Sequence, residues 1–266
     1  WLVRTCELID KYQPKILYFD WWIHNHSFKP YLKKLAAYYY NRADEWGEEV
    51  TINYKHEAFP PTVATFDVER GALTDISPIP WQTDTAIGKD SWGYRKDNTY
   101  KSTRQIITDL IDIVSKNGML LLNIGPKPNG TITDEETQVL KELGEWMKLN
   151  GEGIYSTTFW KQFGEGDVNN EEGFFKDREE KAFTEKDFRF TYKRGSIYAF
   201  QMRPNGENAV IKALKKHIHH NFIIRKITLL STGEKLDFER NYNELVIKAN
   251  EHFTSYNPIC FKIEID

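Results

Sequence analysis

The chain has 266 residues, a formal net charge of −3 at pH 7 and 14% aromatic residues. This length suits one large domain or two moderate ones. The near-neutral charge gives no reason to expect nucleic acid or an anionic membrane surface as a partner. No apolar run approaches the roughly 18 residues that a transmembrane helix needs.

The first part of the chain alternates between helical and strand patterns. It starts at Trp1 inside an amphipathic helical pattern without a preceding signal peptide, so we expect the chain to lack its natural beginning. Further elements are predicted in this order: strand 15–19, helix 30–46, short strands at 49–55 and within 63–71, an irregular segment at 71–100, helix 102–116, a strand at 118–126 buried on both faces, and helix 133–150 with a Thr133–Glu136 capping box. Repeated strand–helix units with apolar strands predict a parallel sheet, either doubly wound or part of a (β/α)8 barrel.

The hydrophobic period changes in the last third of the chain. Residues 155–185 are polar and loop-like, and from about Phe188 onward apolar and polar residues alternate between turn motifs. We therefore predict a small antiparallel β domain, with the boundary between residues 150 and 185.

Asp20 is the first candidate for chemistry, because it follows the predicted strand directly and is followed by Trp21 and Trp22. Working residues of parallel α/β folds lie at the carboxyl ends of strands. Asp is also a favoured helix N-cap, and the sequence leaves that structural role open at even weight.

A second candidate group stands in TFDVERG, where Asp67 and Glu69 follow a strand-like segment beside Arg70. A solvated charge cluster is the structural alternative. The motif favours a catalytic role only if one of its acids forms a carboxylate pair with Asp20.

Two tryptophans, Trp81 and Trp92, stand in the predicted irregular segment. A tryptophan in a loop either packs back onto the domain or binds a ligand, and both readings stay open for each indole. Metal sites look poor: His24 and His26 have no partner set at a matching spacing, and the group His217, His219 and His220 belongs to the predicted β domain.

Taken in order, PKILYFDWW, FDVERG, PWQTDTAIGKDSWGY, VSKNGMLLLNIGPKPNGTI and LGEWMKLNGEGIYST closely resemble the α-L-fucosidases of glycoside hydrolase family 29. The resemblance runs from residue 1 to about residue 158. It implies a partial, C-terminal half of a (β/α)8-like barrel over residues 1–158, a linker over 159–185 and a small antiparallel β-sandwich over 186–266. The first barrel strands of the family, which hold fucose-binding histidines and a tryptophan, would lie before residue 1.

The resemblance also implies roles for individual residues. Asp20 matches the nucleophile, Glu69 is the best match for the acid/base, and Trp92 and Tyr18 match aromatic positions of the fucose site. Lys55 falls where relatives often carry an arginine, and Trp21 and Trp81 are further candidates for contacts with the sugar. No cofactor or metal is implied.

The activity implied is retaining hydrolysis of terminal α-L-fucose from a fucosylated glycan, through a covalent fucosyl-enzyme. In that mechanism Asp20 stays ionised, Glu69 needs a raised pKa, and Arg70 is expected to point away from Glu69. The resemblance places relatives in secreted, periplasmic or lysosomal compartments, and an oligomer is possible. Two alternatives stay open: a catalytically silent carbohydrate-binding fragment, and another barrel glycosidase such as an α-galactosidase-like enzyme.

Overall fold

The computed structural model describes residues 1–217 and 222–266. Its first part is a five-stranded parallel sheet in the order β1-β2-β3-β4-β5. The strands and the helices between and after them are, in chain order, α1 Leu2–Tyr12, β1 Ile16–Tyr18, α2 Lys29–Trp46, β2 Thr51–Tyr54, β3 Thr65–Asp67, β4 Trp81–Ala86, α3 Thr103–Ser115, β5 Gly118–Asn123 and α4 Asp134–Asn150.

The helix ends follow the capping signals in the sequence. The Thr133 hydroxyl accepts a hydrogen bond from the backbone N–H of Glu136, which begins α4 as the predicted capping box requires. Ser102 caps α3 in the same way through the N–H of Gln105. Gly47 ends α2 with φ 68°, a left-handed conformation that favours glycine.

The parallel sheet has one covered face and one open face. A core cluster that includes Ile52 and Tyr54 packs the covered face against α1 and α2. On the open face apolar side chains of both edge strands are exposed: Ile16 and Tyr18 by 60% and 39%, Met119 and Leu121 by 46% and 45%. The prediction that the strand at 118–126 is buried on both faces is therefore wrong. The result is a mixed α/β fold with a parallel half-barrel sheet.

Two segments predicted to be irregular contain strands. The segment 71–100 includes β4, whose six residues are all buried. The polar stretch 155–185 begins with a strand, β6, at Thr158–Glu165. Both strands carry many polar residues, and this polar composition is the reason that the sequence predicts loops there.

The second part of the molecule is antiparallel, as predicted. Its strands after β6 are β7 Phe188–Lys193, β8 Ser196–Gln201, β9 Ala209–Ile211, β10 Ile224–Leu229, β11 Phe238–Arg240, β12 Leu245–Ile247 and β13 Ile259–Ile265. A five-stranded sheet has the order β10-β13-β8-β7-β6, and a three-stranded sheet has the order β11-β12-β9. Side chains from both sheets share one apolar core cluster.

The antiparallel part packs against α3 and α4 of the first part. Ile107 and Trp146 join Tyr198, Phe200 and Cys260 in one buried cluster. The indole N–H of Trp146 also donates to the Pro258 carbonyl at 2.8 Å. Across the described residues, every helix is too short or too polar to cross a membrane.

Candidate active site

The candidate site lies at the carboxyl ends of β1 to β4, on the open face of the half-barrel sheet. The register pairs Tyr18 with Asn53 and Asp67 with Gln82. Gln82 in turn pairs with Met119, one of the exposed side chains on the open face. Alternate residues of a strand share a face, so Asp20 and Lys55 continue the rows of Tyr18 and Asn53 onto this face.

Lys55 is at the centre of the site and is surrounded by three carboxyl groups. Its Nζ lies 2.9 Å from Glu69 Oε2, 3.0 Å from Asp84 Oδ1 and 3.3 Å from Asp67 Oδ1. The lysine side chain is 1% exposed, whereas the side chain of Glu69 is 18% exposed. Burial opposes the ammonium form, but hydrogen bonds to Glu69 and Tyr18 and the charges of the two aspartates together raise the pKa of Lys55.

Asp67 is the most deeply buried acid of this group. Burial and the neighbouring Asp84 carboxyl raise the pKa of Asp67 to about 8, although Gln82 and Lys55 oppose the shift. The amide of Gln82 donates to Asp67 Oδ2. This environment favours the neutral, protonated form of Asp67.

Tyr18 connects the first strand to this cluster. Its hydroxyl donates to Asp84 Oδ2 at 2.9 Å, and Lys55 Nζ lies 5.8 Å from the centre of its ring. Burial, followed by the charge of Asp67, raises the pKa of Tyr18, so the hydroxyl is a stable donor at physiological pH. The end of β1, which Asp20 follows, is thereby tied to Asp84 of β4 and, through Lys55, to Glu69 after β3.

Asp20 is exposed and caps a short 3₁₀ helix, Trp21–His24. Its Oδ1 accepts a hydrogen bond from the Trp21 N–H at 2.7 Å. Asp20 therefore has the helix-capping role that the sequence allowed. Capping occupies one of the two carboxylate oxygens, so the same residue can cap the helix and take part in chemistry.

The two indoles after Asp20 have different surroundings. Trp21 is 53% exposed, with its ring 6.0 Å from that of His24. Trp22 packs edge-on against Trp1 and Phe28, beside the start of α1. Trp21 is therefore the indole that a ligand at this end of the sheet could contact.

Trp92 is half-buried in the loop between β4 and α3. Its carbonyl accepts a hydrogen bond from the Asn123 amide at 2.7 Å, which fixes the loop to the end of β5. The guanidinium of Arg70 lies 5.1 Å from the centre of its ring. Because Arg70 follows Glu69 directly, Trp92 lies beside the loop that carries Glu69.

Arg70 forms an ion pair with Asp177 instead of Glu69. Its Nε is 3.3 Å from Asp177 Oδ1, and its Nη2 donates to the Gly88 carbonyl at 2.8 Å. This orientation agrees with the expectation that Arg70 points away from Glu69.

Trp81 has a packing role. It begins β4 instead of standing in a loop, so that part of the prediction is wrong. The side chain is 2% exposed, and its indole N–H donates to the Lys116 carbonyl at 3.0 Å. It lies on the covered face, where it shares a core cluster with Val68 and Ile113, so it has no ring face available for a sugar.

Sequence reasoning missed two acids at this site. Asp84 was missed because β4 was read as irregular, although the alternation of Gln82, Asp84 and Ala86 with larger or β-branched residues is a strand pattern. Asp177 was missed because it comes from the stretch between β6 and β7, far away in sequence. No local pattern could have found it.

The described ranges 1–217 and 222–266 contain no group of three or more His, Cys, Asp or Glu side chains that could hold a metal ion. His24 lies beside His56, with 5.2 Å between the ring centres. His219 and His220 lie outside the described residues.

Comparison with known proteins identifies the family. The alpha-L-fucosidase family model matches residues 1–152. The chain belongs to the alpha-L-fucosidase family, glycoside hydrolase family 29. The motif order in the sequence and the half-barrel sheet agree with this membership.

Curated relatives of this fucosidase-family chain include plasma alpha-L-fucosidases. Those of Pongo abelii and Homo sapiens are each 30% identical to it over 179 residues, which is 60% of this chain. The matched region is 36% of the Pongo protein and 35% of the human one, so the chain spans about a third of these relatives.

Solved fucosidase structures match nearly the whole chain. One alpha-L-fucosidase superposes with a TM-score of 0.77 at 29% identity, covering 98% of this chain and 55% of its own. The Thermotoga maritima alpha-fucosidase, solved in complex with a mechanism-based inhibitor, superposes with a TM-score of 0.76 at 28% identity and covers 99% and 55%. The chain thus spans about half the length of these structures.

Proposed function

We propose that this chain carries the two catalytic carboxyl groups of a retaining α-L-fucosidase, with Asp20 as nucleophile and Glu69 as acid/base. The observation that carries the proposal is the link from Tyr18 through Asp84 and Lys55 to Glu69, which ties the end of β1, two residues before Asp20, to the loop of the second acid. In a family of fucoside hydrolases, two acids that follow strands of one parallel sheet at its carboxyl end suit glycosidic chemistry.

In the proposed mechanism Asp20 attacks the anomeric carbon of a terminal α-L-fucosyl residue as the glycosidic bond breaks. Glu69 gives its proton to the departing oxygen, and a covalent fucosyl ester forms on Asp20. Glu69 then takes a proton from water, which attacks the same carbon and frees Asp20. A retaining mechanism requires the two carboxyl groups to lie about 5–5.5 Å apart.

The two acids have different surroundings. Asp20 is exposed and accepts the Trp21 N–H through one carboxylate oxygen, which leaves the other oxygen for attack on the sugar. Glu69 contacts the Lys55 ammonium, and an opposite charge favours a carboxylate over a carboxylic acid, so this contact suits the step in which Glu69 takes a proton from water and opposes the step in which it gives one.

Aromatic rings supply the walls that a 6-deoxy sugar needs. Fucose has a methyl group where other hexoses carry a hydroxymethyl, and such a group favours a dry, apolar contact. Tyr18, Trp21 and Trp92 are the candidate walls, with Lys55 as the polar centre. Trp81 is left out of the proposed pocket because it is buried on the covered face.

We also propose the finer architecture that the family suggests. Residues 1–158 would be the C-terminal half of a (β/α)8-like barrel, and residues 186–266, joined by β6 from the proposed linker, would form a β-sandwich made of the two antiparallel sheets. The shared apolar core between these sheets supports this division.

The test uses an aryl α-L-fucoside as substrate for the chain and, if its gene encodes residues before Trp1, for the longer protein as well. Asp20→Asn should reduce hydrolysis to the rate without enzyme while the fold persists, because asparagine is an equally good N-cap. Asp75→Asn is the matched control, since Asp75 is also exposed and also accepts the next backbone N–H, that of Ile76, at 2.7 Å. Near wild-type turnover by Asp20→Asn would overturn the nucleophile assignment.

Binding of fucose without turnover by the wild type would favour a silent carbohydrate-binding protein, and preference for another aryl glycoside would favour a different barrel glycosidase.

A further inference from the structure

A short segment between β6 and β7 runs beside the loop that carries Glu69. We call residues 173–177 the strap. The N–H of Phe175 donates to the Glu69 carbonyl at 3.0 Å, and the N–H of Lys176 donates to the Arg70 carbonyl at 2.8 Å. Gly173 and Ala72 form an antiparallel bridge at the other end of the contact. The strap therefore fixes the backbone from the proposed acid/base to Ala72.

Asp177, the last residue of the strap, binds the strap to the end of β4 and the start of α3. Its Oδ2 lies 2.5 Å from Nζ of Lys101, a lysine whose side chain is fully buried, and the Thr85 hydroxyl donates to the same carboxylate. Gln105 donates to the Asp177 carbonyl at 2.8 Å, and Arg70 completes the cluster with an ion pair. A carboxylate bound by two cations and one hydroxyl, on a residue whose carbonyl also accepts a hydrogen bond, does not move easily, so the strap is a fixed part of the site.

The two aromatic residues of the strap have opposite environments. Phe174 stacks on His56 with 5.2 Å between ring centres, and His56 follows the central lysine of the site. Phe175 is 63% exposed and has φ 58°, in the left-handed region that a phenylalanine rarely adopts. Exposure of the ring and backbone strain both cost free energy, and residues held in this way concentrate at ligand-binding positions.

We propose that Phe175 is an aromatic wall of the leaving-group subsite, where it stacks on the pyranose ring of the sugar to which fucose is attached. This inference rests on the proposed role of Glu69. An acid/base must reach the glycosidic oxygen, which is the atom that joins fucose to the leaving sugar. A side chain whose backbone pairs with that of Glu69, and which faces solvent, is placed to meet the leaving sugar. The pyranose C–H face is apolar and matches an exposed aromatic ring.

The experiment compares two substrates that share fucose but differ in the leaving group. α-L-Fucosyl fluoride has no leaving sugar, whereas a fucosylated trisaccharide has one. Phe175→Asn removes the ring and keeps a residue that tolerates the left-handed backbone. The ratio of kcat/KM for the trisaccharide to kcat/KM for the fluoride should fall about tenfold, the value of one aromatic stacking contact.

Phe175→Trp should restore the ratio. Tyr242→Ala, which removes a ring that is 79% exposed far along the chain, should leave it unchanged.

Saturation-transfer NMR on the trisaccharide gives a readout that does not need turnover. In the Asp20→Asn background, which should bind the trisaccharide without hydrolysing it, transfer should reach protons of both fucose and the leaving sugar, and the added Phe175→Asn change should lose the transfer to the leaving sugar selectively. An unchanged ratio and an unchanged transfer pattern would overturn the inference. An equal fall for both substrates would also overturn it, because the residue would then only position Glu69. Failure of the wild type to hydrolyse the fluoride, with transfer to the leaving sugar still dependent on Phe175, would instead count against the proposed catalysis alone.

Discussion

The Lys55 ammonium lies 2.9 Å from Oε2 of Glu69, and 1% of the lysine side chain is exposed. The same ammonium contacts Asp67 and Asp84, so it joins the carboxyl ends of β2, β3 and β4. One cation therefore holds together Glu69 and the two buried acids beside it.

Replacement of Lys55 by methionine should destabilise the fold by about 3–5 kcal/mol, because it leaves several acids close together without a buried counter-charge. The measurement is the free energy of unfolding from urea denaturation at pH 7. Lys55→Arg, which keeps the charge, should recover part of the loss, whereas Lys15→Met at an exposed surface ion pair should cost little. A Lys55→Met protein as stable as the wild type would show that the cluster is not held by this ion pair.

Asp67 should give the fold a measurable pH dependence. Its pKa is raised from 3.8 to about 8, chiefly by burial, so the folded protein holds the proton more tightly than the unfolded chain does. The corresponding stability is fully present below pH 4 and is lost as the pH rises towards about 8. Asp67→Asn cannot ionise, so its free energy of unfolding should decline less than that of the wild type across this range. Parallel pH curves for the two proteins would contradict the burial of an uncharged acid at this position.

Glu69→Ala should separate substrates by their leaving groups. General acid catalysis contributes about 10²–10⁴-fold, and a good leaving group needs little of it. Hydrolysis of a fucoside with a poor leaving group should therefore fall by about that factor, whereas an activated aryl fucoside should keep its first step and be rescued by azide. Equal losses on both substrates, without azide rescue, would transfer the acid/base role to Asp67 or another acid of the loop.

The helices and the antiparallel strands could be predicted well from the sequence, because these elements depend on local signals. The Thr133 hydroxyl cap, the amphipathic helices and the alternating strands after Phe188 are all present, although the Glu136 carboxylate accepts from the Gly125 N–H. The positions of Asp20 after β1 and Glu69 after β3 could be predicted for the same reason, since each follows a recognisable strand.

The failures have a common physical cause, which is that burial of polar residues depends on partners distant in sequence. β4 carries Gln82 and Asp84 in its buried interior and was read as irregular. These residues are tolerated because Lys55 and Asp67, on two other strands, complete their hydrogen bonds and ion pairs. Asp177 reaches Arg70 across 107 residues of sequence, a distance over which no periodicity carries information.

The central claim is that Asp20 forms a covalent bond to fucose, and the most direct test is to trap that bond. The protein would be incubated with 2-deoxy-2-fluoro-α-L-fucosyl fluoride, digested, and its peptides analysed by tandem mass spectrometry. The proposed mechanism predicts a fluorofucosyl adduct on the peptide containing Asp20, with no adduct in Asp20→Asn and normal labelling in Asp75→Asn. An adduct on another carboxyl group, or turnover of aryl α-L-fucoside without any adduct on Asp20, would contradict the claim.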